Sequence, residues 1–172
     1  YFEEIPRILI VLLPVFLITG PFLSDLAISL VALIFLINSY YNKLKKFYNN
    51  IYFKLFIIFW LILITSSLLS DNILISLKNS FFYFRFAIFS LCFWYLIELN
   101  EKILYFLFIS ILICFSVLIF DGYFQYIFNK NLLGWELYNK FRVSSFFGSE
   151  LILGSYLSRL FPILFGLFIF LD

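Results

Sequence analysis

The stretch that most constrains this chain is Ile103 to Phe120, eighteen consecutive residues without a charged side chain. A surface helix of a soluble domain keeps a polar face, whereas an uncharged run of this length matches the roughly 20 residues that cross a bilayer. Similar apolar blocks recur at Ile8 to Thr19, Phe22 to Ile37, Phe53 to Leu69, Phe81 to Ile97 and about Leu151 to Leu171. We therefore expect an all-α fold, a polytopic transmembrane helical bundle with about six spans, forming one transmembrane domain over residues 1–172. Composition agrees, because only 13% of residues are charged, against about a quarter in soluble domains. Position 1 is not Met and the chain stops at Asp172 straight after an apolar run, so an N-terminal portion of a longer protein is expected.

The first two blocks are separated by Gly20-Pro21 alone. A secretory signal has a single apolar core and a small-residue cleavage site, so two helices joined by a tight turn fit better. Asp25, near the start of the second helix, favours its N-terminal dipole. Lys43, Lys45 and Lys46 then sit among Tyr40, Tyr41, Phe47, Tyr48 and Tyr52. Clustered Lys marks the cytoplasmic side, with the aromatics at headgroup level. Alternation of spans from there puts the stretch after Phe120 outside. The basic residues divide evenly between the faces, six inside and six outside, so only the density of the Lys43 to Lys46 cluster breaks the tie. Outward basic residues are disfavoured during insertion, and those present are candidates for a task.

Function is sought between Asp121 and Pro162, where Asp121, Gln125, Lys130, Glu136, Lys140, Arg142, Glu150 and Arg159 lie between two apolar segments. Polar groups at a membrane boundary are costly unless hydrated, paired or used. Residues 121–150 read as a periplasmic or interfacial segment: Asp121 ends the fifth span, and Gln125 shares its face if the helix continues. The aromatic segment YFQYIF looks interfacial rather than spanning, with Gly122 and Gly134 loosening the backbone around it. Ser144 or Ser145, with Gly148-Ser149, suits a turn and helix N-cap, placing Glu150 in the first turn of the sixth helix. Arg159 falls inside the apolar run that follows, where a central Arg costs about 2.5–3.5 kcal/mol unless it faces protein, water or an anion. Arg85, near the start of the fourth span, is either a snorkelling interfacial side chain or, if it points inward, an anion ligand.

Other classes are set aside on the same grounds. A net charge of +2 with scattered basic residues does not suit nucleic acid, and membrane lipids are the natural neighbours. The chain has no His, the commonest general base and metal ligand. Cys92 and Cys114 sit in apolar runs and read as small buried hydrophobes.

At the central stretch the sequence resembles the O-antigen ligase and O-antigen polymerase superfamily of bacterial inner-membrane glycosyltransferases. The matching pattern is Asp121 with Gln125 four residues on (DGYFQ), an asparagine-glycine turn (NKNLLG), Arg-x-x-Ser-x-Phe from Arg142 (RVSSFF), and GSYLSRLFP ending at Pro162; GPFLSD and SLKNSFFYFRF are similar upstream. The resemblance implies a multi-pass enzyme of the bacterial inner membrane whose functional face is periplasmic. Such an enzyme takes a glycan from undecaprenyl diphosphate and passes it to a lipid A core oligosaccharide in the ligases, or to another carrier-linked repeat in the polymerases.

A diphosphate leaving group needs its developing charge stabilised, and the bidentate fork of Arg suits that. Arg142 matches the family's arginine and is the first candidate for this role, with Arg159 and Arg85 as helpers chosen by position. Glu150 would orient an arginine or act on the acceptor hydroxyl, and Asp121 with Gln125 would bind sugar hydroxyls. No D-x-D pair occurs, so a metal-independent reaction is favoured and no cofactor is expected; within the resemblance, the FFGSE and GSYL stretches favour a ligase over a polymerase. Family ligases also carry a large periplasmic loop with a functional His later in the chain. Those parts either lie beyond Asp172, leaving this stretch inactive alone, or the chain is not a ligase.

Blander readings stand beside these: Arg142 and Arg159 as interfacial anchors, Glu150 as a helix-start acid, Asp121 and Gln125 as boundary residues. A transporter or channel subunit with Arg159 and Glu150 lining a path, or a non-catalytic scaffold, are the readings from other classes; the internal repeats and broken helices typical of transporters are not evident.

Overall fold

The computed structural model describes residues 3–138 and 142–171, and these residues build an all-α fold. The helices are α1 (Glu4–Thr19), α2 (Pro21–Asn42), α3 (Lys45–Tyr48), α4 (Ile51–Leu68), α5 (Ile73–Phe82), α6 (Phe84–Leu99), α7 (Lys102–Phe128) and α8 (Leu153–Leu171). Among the described residues, five stretches are long and apolar enough to cross a membrane: α2, α4, α5 with α6 taken together, α7 and α8. The chain is a multi-pass membrane protein. Of the six expected crossings, the first is the exception in length. α1 has 16 residues, about 24 Å at 1.5 Å per residue, short of a hydrocarbon core of about 30 Å.

Two further boundaries differ from expectation. The polar patch before the fourth span is itself helical: α5 runs into α6 with only Tyr83 between them, and Tyr83 keeps an αR backbone whose N–H donates to the Asn79 carbonyl. The fifth span does not stop at Phe120, because α7 continues through Asp121, Gly122 and Gln125 to Phe128. YFQYIF is therefore helical and forms the C-terminal end of α7. α2 starts at Pro21, so Asp25 lies beyond its first turn, where the helix dipole has largely faded.

Contacts group the described chain into two compact units. One holds residues 1–10 and 26–100. In it α4 and α5 fold back on each other through the turn at residues 69–72. Trp60 Nε1 donates to the Ser80 carbonyl at 2.9 Å, and the Ser67 hydroxyl meets that of Ser80. Phe47 of α3 is buried among Phe35, Trp94 and Tyr95, and Lys46 pairs with Glu98 at 2.8 Å. The other unit holds residues 11–25 and 101–172. Its core is Ile111, Cys114, Phe115 and Leu118 of α7 with Phe147 and Tyr156. The Tyr156 hydroxyl donates to the Pro14 carbonyl at 2.9 Å.

Candidate functional site

The polar groups of α7 end inside a loop rather than in water. Asp121 and Gln125 lie four apart on one helix face, and both are 0% exposed. One Asp121 oxygen accepts the Ser145 hydroxyl at 2.6 Å, and the other accepts the Leu132 N–H at 2.9 Å. Gln125 Oε1 accepts two consecutive backbone N–H groups, from Ser144 at 3.0 Å and Ser145 at 2.8 Å. Its Nε2 faces the carbonyls of Trp135 and Glu136 and the Ser144 hydroxyl at 3.3–3.4 Å.

Asn131 completes the clasp. Its Oδ1 accepts the Leu133 and Trp135 N–H groups, and its Nδ2 donates to the Ser145 carbonyl at 2.8 Å. Ser145 itself is held at φ +50, a left-handed backbone unusual for a residue with a Cβ, and bonds from its N–H, hydroxyl and carbonyl fix it there. A buried polar network satisfied in this way rigidifies the segment it ties down. Asp121 and Gln125, expected as sugar ligands, use their polar atoms to hold the loop.

That network also moves the helix start. The Ser144 and Ser145 N–H groups go to Gln125, Ser145 to Phe147 form a 3₁₀ turn, and α8 begins only at Leu153. The expected N-cap at Ser144 or Ser145 does not form, and Glu150 precedes the helix instead of occupying its first turn. Between them, Gly148 has φ +62, and a Cβ there would stand 3.2 Å from the Trp135 ring. The indole lies directly against this glycine.

Glu150 is exposed and lines a hollow of about 570 Å³ with Thr19, Ser24 and Phe146. Arg159 is exposed on α8 and lines a second, of about 430 Å³, with Tyr156, Leu160 and Ile163. Leu17, Phe147 and Ile152 wall both. The two expected charges are thus brought to adjoining hollows with apolar sides. Arg142 is exposed and lines neither hollow. Lys140 lies outside the described residues. Arg85 belongs to the other unit, half-buried on α6, where it donates to the Ser29 hydroxyl at 3.2 Å and sits 5.1 Å from the Phe86 ring centre. Among the described residues, no three His, Cys, Asp or Glu side chains gather where a metal ion could be held.

Asn131 and Tyr156 were not singled out from sequence. Asn131 carried a usable signal, because an Asn two residues before Leu133 and four before Trp135, with Gly134 between those two, can close a turn with its own side chain. Nothing in the sequence pointed from Tyr156 to Pro14.

Apolar helices of spanning length joined by a clasped polar loop define a multi-pass α-helical membrane protein, with its candidate site beside the start of α8. No family model matches the chain, and comparison with curated proteins and with solved structures gives no significant match.

Proposed function

We propose that this chain is part of a metal-independent glycosyltransferase of the bacterial inner membrane. It would move a glycan from undecaprenyl diphosphate to a lipid A core oligosaccharide on the periplasmic side, as O-antigen ligases do. The observation that carries the reading is the pair of adjoining hollows, apolar in their shared wall and bearing Glu150 in one and Arg159 in the other. An amphipathic donor fits such a place: its polyprenyl chain lies along Leu17, Leu160 and Ile163, and its diphosphate meets Arg159. Arg142, on the clasped loop, supplies a second cation for charge developing on the leaving diphosphate. Glu150 is then available to the acceptor hydroxyl. Asp121 and Gln125 act as positioning residues through the loop.

The test uses the full-length gene in cells lacking the endogenous protein. With Arg142→Ala and Arg159→Ala at normal membrane levels, capped lipopolysaccharide is expected to disappear from gels while carrier-linked glycan accumulates. Wild-type lipopolysaccharide ladders from both variants would overturn the reading and advance the transporter and scaffold alternatives.

A further inference from the structure

The far end of α7 carries a feature that the transfer reading leaves unused. With 27 residues, α7 is about 40 Å long at 1.5 Å per residue, some 10 Å more than a hydrocarbon core of about 30 Å. At Asn129 the backbone turns left-handed, φ +59, and the chain doubles back as a short hairpin over residues 129–137. The Leu137 N–H donates to the Asn129 carbonyl, the Asn131 N–H to the Trp135 carbonyl, and Lys130 pairs with Glu136 at 3.2 Å.

The tip of this hairpin is inverted relative to a turn that faces water. Its polar groups are turned inward: Asn131 and Asp121 accept the N–H groups of Leu132, Leu133 and Trp135. Its apolar side chains are turned out, with Leu132 55% and Leu133 67% exposed. Gly134, at φ +87, closes the turn. The exposure is therefore imposed by a satisfied backbone and does not come from a loose loop. Tyr126, Ile127 and Phe128 are exposed in the last turn of α7 just before the hairpin. The apolar surface of the spanning helix thus continues along the chain into the tip, with a pair of opposite charges at the hairpin base.

We propose that residues 129–137 form a lipid-surface anchor that seats Leu132 and Leu133 at the boundary between headgroups and acyl chains, in the leaflet where α7 ends. The occupant is lipid because the tip extends a surface that already faces lipid, and amphipathic elements seat their apolar side at this depth. Through Asp121, Gln125 and Asn131 the anchor also sets the height of Ser144 and Ser145 above the bilayer. None of this depends on the glycan-transfer reading.

Single cysteines at Leu132 and at Leu133, placed separately in a Cys92→Ala, Cys114→Ala background, would carry an environment-sensitive fluorophore in phosphatidylcholine-phosphatidylglycerol nanodiscs, which leave both faces open. Expected are blue-shifted emission, strong quenching by lipids spin-labelled near the top of the acyl chain, and iodide quenching several-fold weaker than for the free dye. Iodide quenching equal to that of the free dye would put the tip in water and overturn the proposal. Protection from both quenchers would mean that protein covers the tip, and would overturn it equally. Both labelled side chains are exposed, so the backbone bonds of the turn survive labelling; slow hydrogen exchange at the Leu132 and Leu133 amides verifies this in the same samples.

Discussion

Replacing Asp121 by Ala tests whether the loop after α7 is held by side chains or only by its own backbone. The change removes the acceptors of the Ser145 hydroxyl at 2.6 Å and the Leu132 N–H at 2.9 Å. Hydrogen bonds to a charged acceptor are worth about 1.5–3 kcal/mol each. The Leu132 bond is only part-buried, so water recovers some of that loss, and about 3 kcal/mol of local destabilisation is the working figure. At about 1.4 kcal/mol per factor of ten, local opening of the loop becomes about a hundredfold more frequent. Hydrogen exchange read by mass spectrometry in nanodiscs reports this opening directly. The Leu132, Ser144 and Ser145 amides should exchange about a hundredfold faster, while Leu91 in the other unit does not change. Asp121→Asn keeps an acceptor for Leu132 but loses the charge, and should fall between Ala and wild type. Wild-type exchange at all three loop amides in Asp121→Ala would refute the clasp.

Gly148→Ala places a Cβ at 3.2 Å from the Trp135 ring on a backbone at φ +62, a strain of about 1–3 kcal/mol. Fluorine NMR of 5-fluorotryptophan protein should show the Trp135 signal shifted with Trp60 and Trp94 in place; an unmoved Trp135 signal would mean that the indole does not rest on this glycine. Tyr156→Phe keeps the ring against Phe115 and Phe147 but loses the bond to the Pro14 carbonyl. The cost should be about 0.5–1.5 kcal/mol in sodium dodecyl sulfate unfolding titrations, and an unshifted midpoint would refute the contribution of that bond.

The helices were readable because a bilayer imposes length and apolarity, and α4 and α7 express both without ambiguity. The limits of α7 were less readable. Gln125 amid aromatic residues suggests a chain leaving the helix, yet here the helix persists, because the Gln125 amide is spent on Trp135, Ser144 and Ser145 and needs no water. That Asp121 and Gln125 share a face followed from their spacing. Their partners did not, since Leu132 and Ser145 reach them through a turn and a left-handed backbone that no periodicity encodes. The same network explains why α8 starts a turn later than its serines suggest: the Ser144 and Ser145 hydroxyls, the groups that would cap a helix, are bonded to Gln125 and Asp121 instead. Arg159 and Glu150 were found as costly charges in apolar surroundings. The hollows they line depend on Leu17 and Phe147, which the sequence leaves looking like any other apolar residues.

The serines shared by α4 and α5 bear on how the protein is made. Ser67, Ser70, Ser76 and Ser80 bond to one another or to each other's backbone across a single short turn. Alone in lipid, each helix would carry those hydroxyls without interhelical partners, but paired, the two cover them mutually. The two helices are neighbours in synthesis as well as in space, so the hairpin can be completed as soon as α5 emerges from the ribosome. It can enter the insertion channel as one greasy wedge, ahead of the loop-bearing half of the protein.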